Sequence, residues 1–181
     1  MVSTRVGYAG GTTENPTYYQ IGDHSESIQV VFDPEVVSYE ELLEVFWSAH
    51  DPTARSYSRQ YMSILFVHDE AQRRSAELSK AAEQRRRGAP IQTPIVAQWS
   101  FTPAEAYHQK YSLRADDLLL RELRRMYPGE EGFVGSTAAA RVNGYLGGYG
   151  TLQELDREIG SYGLSPEAAE HLRRRVGRFR P

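Results

Sequence analysis

Twelve tyrosines, five histidines and the carboxylates are the side chains of this 181-residue chain that can move protons or hold an oxygen, and it contains no cysteine. Phenols, imidazoles and carboxyls serve as acids, bases and hydrogen-bond donors, but they do not supply an electron pair to a reduction. Without cysteine there are no disulfides, no thiolate metal sites and no thiol catalysis within these residues. His24 and Glu26 form a His-x-Glu pair. The zinc deaminase pattern that begins this way also needs a Cys-x-x-Cys, which is impossible here. His50-Asp51 and His68-Asp69 stand where elements are expected to begin or end. There, capping and turn hydrogen bonds account for them better than metal ligation. Taken singly, Glu26 reads as a surface carboxylate, and Tyr18 and Tyr61 read as ordinary pocket or core tyrosines. His108 divides evenly between supporting a pocket and packing. The glycines at 144, 147, 148 and 150 lack the Gly-Lys-Ser/Thr of a phosphate loop, and no dinucleotide fingerprint is present. They are expected to form a mobile segment around Tyr145 and Tyr149 that folds over the active face.

The elements that must position these groups follow from composition and pattern. The length suits one domain with a small extension. With 40% hydrophobic and 25% charged residues the composition is that of a globular protein. A net charge of −3 gives no basic field for nucleic acid or anionic lipid. Arg85-Arg86-Arg87 and Arg173-Arg174-Arg175 suit helix C-termini. Apolar runs are too short to span a bilayer, and Met1 is followed by Val-Ser-Thr-Arg, so a cytoplasmic protein is expected. Ser3 to Ala9 reads as a strand ending at Gly10-Gly11. Ser27 to Phe32 reads as a second, with Ile28, Val30 and Phe32 on one face. Ser38 and Glu41 form a capping box ahead of a helix with Leu42, Leu43, Phe46 and Trp47 on its buried stripe. Strands are expected at Gln60–Val67 and Ile91–Gln98, separated by a polar helix from Asp69 to about Arg87. Thr102 to Glu105 reads as a turn or short helix, Ala115 to Met126 as a helix, and Ser165-Pro166-Glu167 as the start of the last one. Helices set against a mainly antiparallel sheet give a two-layer α+β sandwich.

Several segments, in order, carry a resemblance. They are Arg5-Val6-Gly7-Tyr8-Ala9-Gly10-Gly11, Asn15-Pro16-Thr17-Tyr18, His24-Ser25-Glu26, Ser38-Tyr39-Glu40-Glu41-Leu42-Leu43, Phe46-Trp47, His50-Asp51-Pro52-Thr53, Gln60-Tyr61-Met62-Ser63 and Tyr107-His108-Gln109. Each is weak alone. Together, at compatible spacing, they resemble the A-type peptide methionine sulfoxide reductases over about residues 2–150. The resemblance implies a ferredoxin-like plait lacking its first strand and helix, with an MsrA-like domain at 1–150 and a helical extension at 151–181. It also implies reduction of the S epimer of methionine sulfoxide in peptides and proteins, without metal or bound cofactor. A cysteine in a Gly-Cys-Phe-Trp motif attacks the sulfoxide sulfur, and thioredoxin or another external thiol recycles the resulting sulfenic acid. By motif match Glu26 is the proton donor, and Tyr18 and Tyr61 hold the oxygen. Tyr8, His24 and His108 are expected at the substrate. Donation near neutral pH requires Glu26 to be buried.

The chain departs from the pattern in three places. The Gly-Cys-Phe-Trp motif is absent. Ser56-Tyr57-Ser58 stands where the family often has an aspartate ahead of the Gln-Tyr pair. The glycine-rich tail holds no resolving cysteine. Two readings follow. In one, Met1 is an internal position of a longer reductase. In the other, the chain is a cysteine-less relative that binds oxidised methionine or serves as an interaction domain.

Overall fold

The computed structural model describes residues 2–97 and 100–178. The fold is α+β, in two units. One is Val6–Glu105; the other joins Met1–Arg5 to Ala106–Pro181.

The first unit carries the sheets. Strand β1 (Ser3–Ala9), which starts just ahead of this unit, lies between β2 (Ser25–Val31) and β5 (Phe101–Pro103) in a three-stranded sheet. β1 and β5 are antiparallel, with Gly7 opposite Pro103 and Ala9 opposite Phe101. A separate two-stranded sheet pairs β3 (Leu65–Val67) in parallel with β4 (Ile95–Ala97). Helix α1 (Tyr39–Ser48) starts at Ser38, whose hydroxyl accepts from the Glu41 N–H while Glu41 reaches back to the Ser38 N–H at 2.7 Å. Helix α2 (Glu70–Arg87) is capped by Asp69 and closed by Gly88 in the left-handed region at φ 66°. Leu43 and Trp47 of α1 pack with Val67, Ala76 and Ile91 in the core of this unit. The Trp47 indole N–H donates to the Ser79 hydroxyl at 3.0 Å.

Three expectations are corrected here. The strand expected over Gln60–Val67 shrinks to Leu65–Val67, the part that pairs with β4, while ahead of it the Gln60 carbonyl accepts from the Glu26 N–H. The strand expected over Ile91–Gln98 is Ile95–Ala97, and Gln98 lies outside the described residues. Phe101–Pro103 is a strand rather than a turn. Its place at the outer position of the sheet tolerates a proline. Gly7 permits the close approach: a Cβ there would meet the Thr102 carbonyl oxygen and would lie 2.5 Å from the Phe101 ring.

The second unit is helical: α3 (Tyr111–Arg114), α4 (Asp117–Met126), α5 (Glu130–Gly135), α6 (Thr137–Leu146), α7 (Leu152–Glu158) and α8 (Pro166–Val176). The expected helix over Ala115–Met126 starts at Asp117, with Asp116 as its cap. The stretch expected to be a glycine-rich mobile segment is helical as far as Leu146, and Tyr145 is buried. Ala138, Ala139 and Val142 give α6 an apolar face that packs with Leu113, Leu123, Phe133, Leu155 and Leu172. That packing outweighs the roughly 1 kcal/mol that Gly144 costs a helix interior.

Lys110 is buried in this unit at φ 55°, and its ammonium donates to the Thr4 carbonyl at 2.6 Å and to the Thr4 hydroxyl at 2.8 Å. Burial, helped by the nearby Arg5 charge, pulls Lys110 from the ordinary lysine value of 10.5 down to about 8. Below the folded value both states carry the proton, and the fold bears the cost of a buried charge. Between the two values only the unfolded chain keeps it, so stability rises with pH across that window. Tyr145 and Tyr162, whose buried hydroxyls titrate higher than usual, act in the opposite sense only above their ordinary value of 10.0. The free energy of urea unfolding should therefore rise between about pH 8 and 10. Lys110→Met should flatten that rise, and an unchanged slope would assign it to another group.

Candidate active site

The segment after β1 must turn sharply, and Gly10 makes the turn at φ 78° with the Phe66 ring 2.7 Å from where a Cβ would stand. The loop that follows, residues 11–24, is held by its own polar groups. Asp23 accepts the N–H groups of Thr12 and Thr13 and both their hydroxyls, at 2.8–3.0 Å. The backbone N–H of Thr13, then that of Thr12, hold the Asp23 carboxyl well below the usual carboxylate range. His24 is buried, with Nδ1 3.2 Å from the Gly11 N and Nε2 2.9 Å from the Thr13 O. An amide N–H only donates and a carbonyl only accepts, so Nδ1 is the acceptor and Nε2 carries the proton. Both ring nitrogens thus hold the loop, which leaves neither for a metal or a substrate.

The segment before β3 locks onto this loop. The Arg59 guanidinium donates to the Gly10 carbonyl at 2.8 Å and to the Asp23 carbonyl at 3.1 Å. Ser25 Oγ donates to the Arg59 carbonyl at 2.6 Å, and the Glu26 N–H donates to the Gln60 carbonyl at 2.9 Å. These bonds bring together the three residues expected to do the chemistry. Gln60 Nε2 donates to Glu26 Oε1 at 2.7 Å and lies 3.2 Å from the Tyr61 hydroxyl. The neighbouring Tyr18 side chain is the first cause pushing Tyr61 up to about 12, ahead of desolvation and the Tyr18, Glu26 and Tyr57 charges. Tyr61 stays 48% exposed.

Glu26 is exposed, in contrast to the burial that proton donation near neutral pH requires. It stands with Gln60 and Tyr61 on the wall of an open groove of about 670 Å³. Tyr8 lies elsewhere in this unit, buried at the base of the loop. Its hydroxyl donates to Glu105 Oε2 at 2.6 Å, and Glu105 Oε1 accepts the Tyr18 N–H at 3.1 Å. His108 belongs to the helical unit, in the 3-10 turn Ala106–His108, with its ring beside that of Tyr107. Among the described residues there is no cluster of three or more histidine or carboxylate side chains fit to hold a metal, and no helix is long and apolar enough to cross a membrane.

The cluster can do one kind of chemistry. Two hydroxyls and an amide converge beside a carboxyl, which suits an oxygen that gathers negative charge and takes a proton. Comparison with known proteins points the same way. The family model for peptide methionine sulfoxide reductase matches residues 1–131. The chain belongs to the peptide methionine sulfoxide reductase family. A further match, over residues 129–174, is to the helical domain of selenoprotein methionine sulfoxide reductase A.

Among the relatives is the peptide methionine sulfoxide reductase of Drosophila melanogaster. It is 39% identical over 173 residues, which are 94% of this chain and 69% of the fly protein. The reductase A5 of Oryza sativa is 40% identical over 80% of this chain and 59% of its own length. The reduced form of Mxr1 from Saccharomyces cerevisiae superposes at a TM-score of 0.57 with 32% identity, covering 60% of this chain and 68% of that one. Methionine sulfoxide reductase A of Corynebacterium diphtheriae does so at 0.52 with 29% identity, covering 64% of each chain. This is a family of oxidoreductases that act on methionine sulfoxide in peptides, as its name states.

Sequence reasoning passed over Gln60 and Glu105 as site residues. Gln60 stood in the Gln60-Tyr61 segment, and its link to Glu26 depends on the pairing of two distant segments. Glu105 is three residues ahead of His108, in a stretch that read as a turn. Because Glu105 anchors both Tyr8 and the Tyr18 backbone, Glu105→Ala should loosen the Asn15–Tyr18 turn. Loss of a partly buried acceptor of two donors costs about 1–3 kcal/mol. Hydrogen exchange at the Tyr18 amide should accelerate at least about tenfold, since 1.4 kcal/mol is a factor of ten. Unchanged exchange there would show that the turn is held by other contacts.

Proposed function

We propose that this chain provides the oxygen-handling half of methionine-S-sulfoxide reduction in peptides and proteins. The observation that carries the reading is the placement of Tyr61, Gln60 and Glu26 together on the wall of an apolar groove, with Tyr18 beside Tyr61. The sulfoxide oxygen carries most of the negative charge of its dipole, and the Tyr18 and Tyr61 hydroxyls donate to it. The apolar groove wall takes the methionine side chain. Glu26, oriented by Gln60, gives the oxygen its proton as the S–O bond breaks. Tyr8, His24 and Glu105 act one step back, by fixing the loop that carries Tyr18.

The electron pair comes from a thiolate outside residues 1–181, because these contain no cysteine. That thiolate attacks the sulfoxide sulfur and forms an S–S bond, the protonated oxygen leaves the methionine sulfur as water, and a water oxygen then adds to the thiol sulfur as the S–S bond breaks, which releases methionine, a proton and a sulfenic acid. A second thiol then forms a disulfide and releases water. Thioredoxin is the external dithiol we expect to close the cycle, in the cytoplasm, where thiols are kept reduced.

Binding separates this reading from its rivals without needing a thiol. A short peptide containing the S epimer of methionine sulfoxide should bind the chain saturably by calorimetry, and the R epimer more weakly. Removal of one hydroxyl by Tyr18→Phe or Tyr61→Phe should weaken binding about tenfold, the effect of roughly 1.4 kcal/mol. Equal affinity for both epimers, or wild-type affinity in both variants, would remove the oxygen site.

A further inference from the structure

Two exposed rings beside the oxygen site have no part in holding the oxygen. One is Tyr57, in the Ser56-Tyr57-Ser58 stretch where the chain departs from the family pattern, and the other is Tyr19, next to Tyr18. Each stands at the tip of a tight turn. The Thr17 and Gln20 backbones pair across Tyr18-Tyr19: the Gln20 N–H donates to the Thr17 carbonyl at 3.1 Å, and the Thr17 N–H to the Gln20 carbonyl at 3.4 Å. Around Tyr57, the Ser56 hydroxyl donates to the Ser58 carbonyl at 2.7 Å, and the Ser58 hydroxyl accepts the Tyr61 N–H at 3.2 Å.

These turns set four rings next to one another. Tyr57 lies 5.9 Å from Tyr61 between ring centroids, Tyr18 stands beside Tyr61, and Tyr19 meets Tyr18 edge-on at 5.3 Å. The inner pair is partly covered, whereas Tyr57 is 86% exposed and Tyr19 is 87% exposed. One exposed tyrosine is ordinary. Two of them, at both ends of a row whose middle holds the oxygen, form a rim around the site. Tyrosine offers a large contact area with only two torsions to freeze. Here the turns are already braced, so covering the rings costs little further ordering.

A peptide substrate continues past its sulfoxide in both directions, and an extended peptide carries alternate side chains on the same side, roughly 6.7 Å apart. That spacing is close to the 5.3 and 5.9 Å between the inner and outer rings. With the sulfoxide at Tyr18 and Tyr61, the side chains two positions before and two positions after it reach the outer rings. A ring face takes apolar and, best, aromatic side chains. We infer that Tyr19 and Tyr57 are specificity-determining residues, which select methionine sulfoxide in extended segments with bulky apolar residues two positions away on either side. The inference rests on the oxygen-site reading for the position of the sulfoxide. Apolar residues at alternate positions are the pattern of a half-buried strand. The favoured substrates are therefore core strands laid open by unfolding.

The test uses the whole chain and two pentapeptides, capped at both termini. Each has the S epimer of methionine sulfoxide at its centre and serine on either side of it; one ends in phenylalanine at both positions and the other in glycine. Calorimetry gives the ratio of the two affinities. We expect wild type to favour the phenylalanine peptide at least about tenfold, from one aromatic contact at each end. In the double variant Tyr19→Ala with Tyr57→Ala the ratio should fall to about twofold or less. In Tyr19→Phe with Tyr57→Phe it should persist, because the rings remain. Thermal unfolding of both variants checks that the turns still belong to a folded chain.

A wild-type ratio near one, or a ratio unchanged in the alanine variant, would overturn the rim. Loss of the ratio in the phenylalanine variant would assign the contact to the hydroxyls, and tighter binding of a peptide ending in arginine would assign the rings to cations. Either result overturns selection by apolar side chains. The oxygen site fails separately. If Tyr61→Phe, the R epimer and unoxidised methionine all leave the affinities unchanged while the ratio survives, the oxygen site is removed and the rim stands. If S-sulfoxide binding depends on Tyr61 but not on the flanking residues, the rim is removed and the oxygen site stands. Binding of neither peptide would remove both.

Discussion

One hydrogen bond, 2.9 Å from the Glu26 N–H to the Gln60 carbonyl, joins the β2 side of the sheet-bearing unit to the β3 side. The two sheets share no strand, so the position of Tyr61 and Gln60 relative to Glu26 depends on this bond and on its neighbours from Ser25 and Arg59. A single backbone hydrogen bond contributes only about 1 kcal/mol net. The set holds because its partners are already fixed: Asp23 and His24 order the loop, and Gly10 brings that loop to Arg59. Each link is local chemistry, a carboxylate on backbone amides or a ring between a donor and an acceptor. Their sum is the placement of three side chains that are far apart in the sequence.

That placement divides the labour of a sulfoxide reduction unevenly. Holding an oxygen and delivering a proton need donors aimed in advance, which a rigid loop provides. Supplying electrons needs a soft nucleophile, which a cysteine-free chain does not have. The separation is physically reasonable because the two tasks act on different atoms of the substrate. In the proposed reaction Tyr18 and Tyr61 address the oxygen, whereas the nucleophile approaches the sulfur, so the oxygen site can be assembled without the nucleophile.

What the sequence disclosed follows the range of the forces involved. Ser38 with Glu41, Asp69, Gly88 and Ser165 ended or began helices as read, because a cap is decided within four residues. Strands were harder. Gln60 to Val67 has the composition of a strand, yet strand structure needs a neighbour, and only Leu65–Val67 has one. Phe101–Pro103 looked like a turn because Pro103 punctuates it, and its pairing with Gly7–Ala9 is a contact over some ninety residues. In the helical unit the glycines from 144 to 150 suggested mobility, but the small and apolar side chains of α6 bury Tyr145 and sustain the helix. Motif order pointed to Glu26, Tyr18 and Tyr61 as one candidate site. The geometry added Gln60 and Glu105, residues that act through partners distant in the chain.

The exposure of Glu26 is where sequence and structure part most clearly, and the groove explains it. A carboxyl that protonates a departing oxygen near neutral pH works best out of water. Here its backbone is fixed by Gln60 and its carboxylate is oriented by the Gln60 amide, so its position is settled without any covering element. Its solvation is not settled, because the wall on which it stands opens into about 670 Å³ of apolar groove. Geometry and dielectric are therefore controlled by different parts of the molecule. The hydrogen-bond network aims the carboxylate, and the groove wall sets how much water reaches it. The aim of the carboxylate is thus set by bonds from distant segments, and its exposure by the shape of the groove wall.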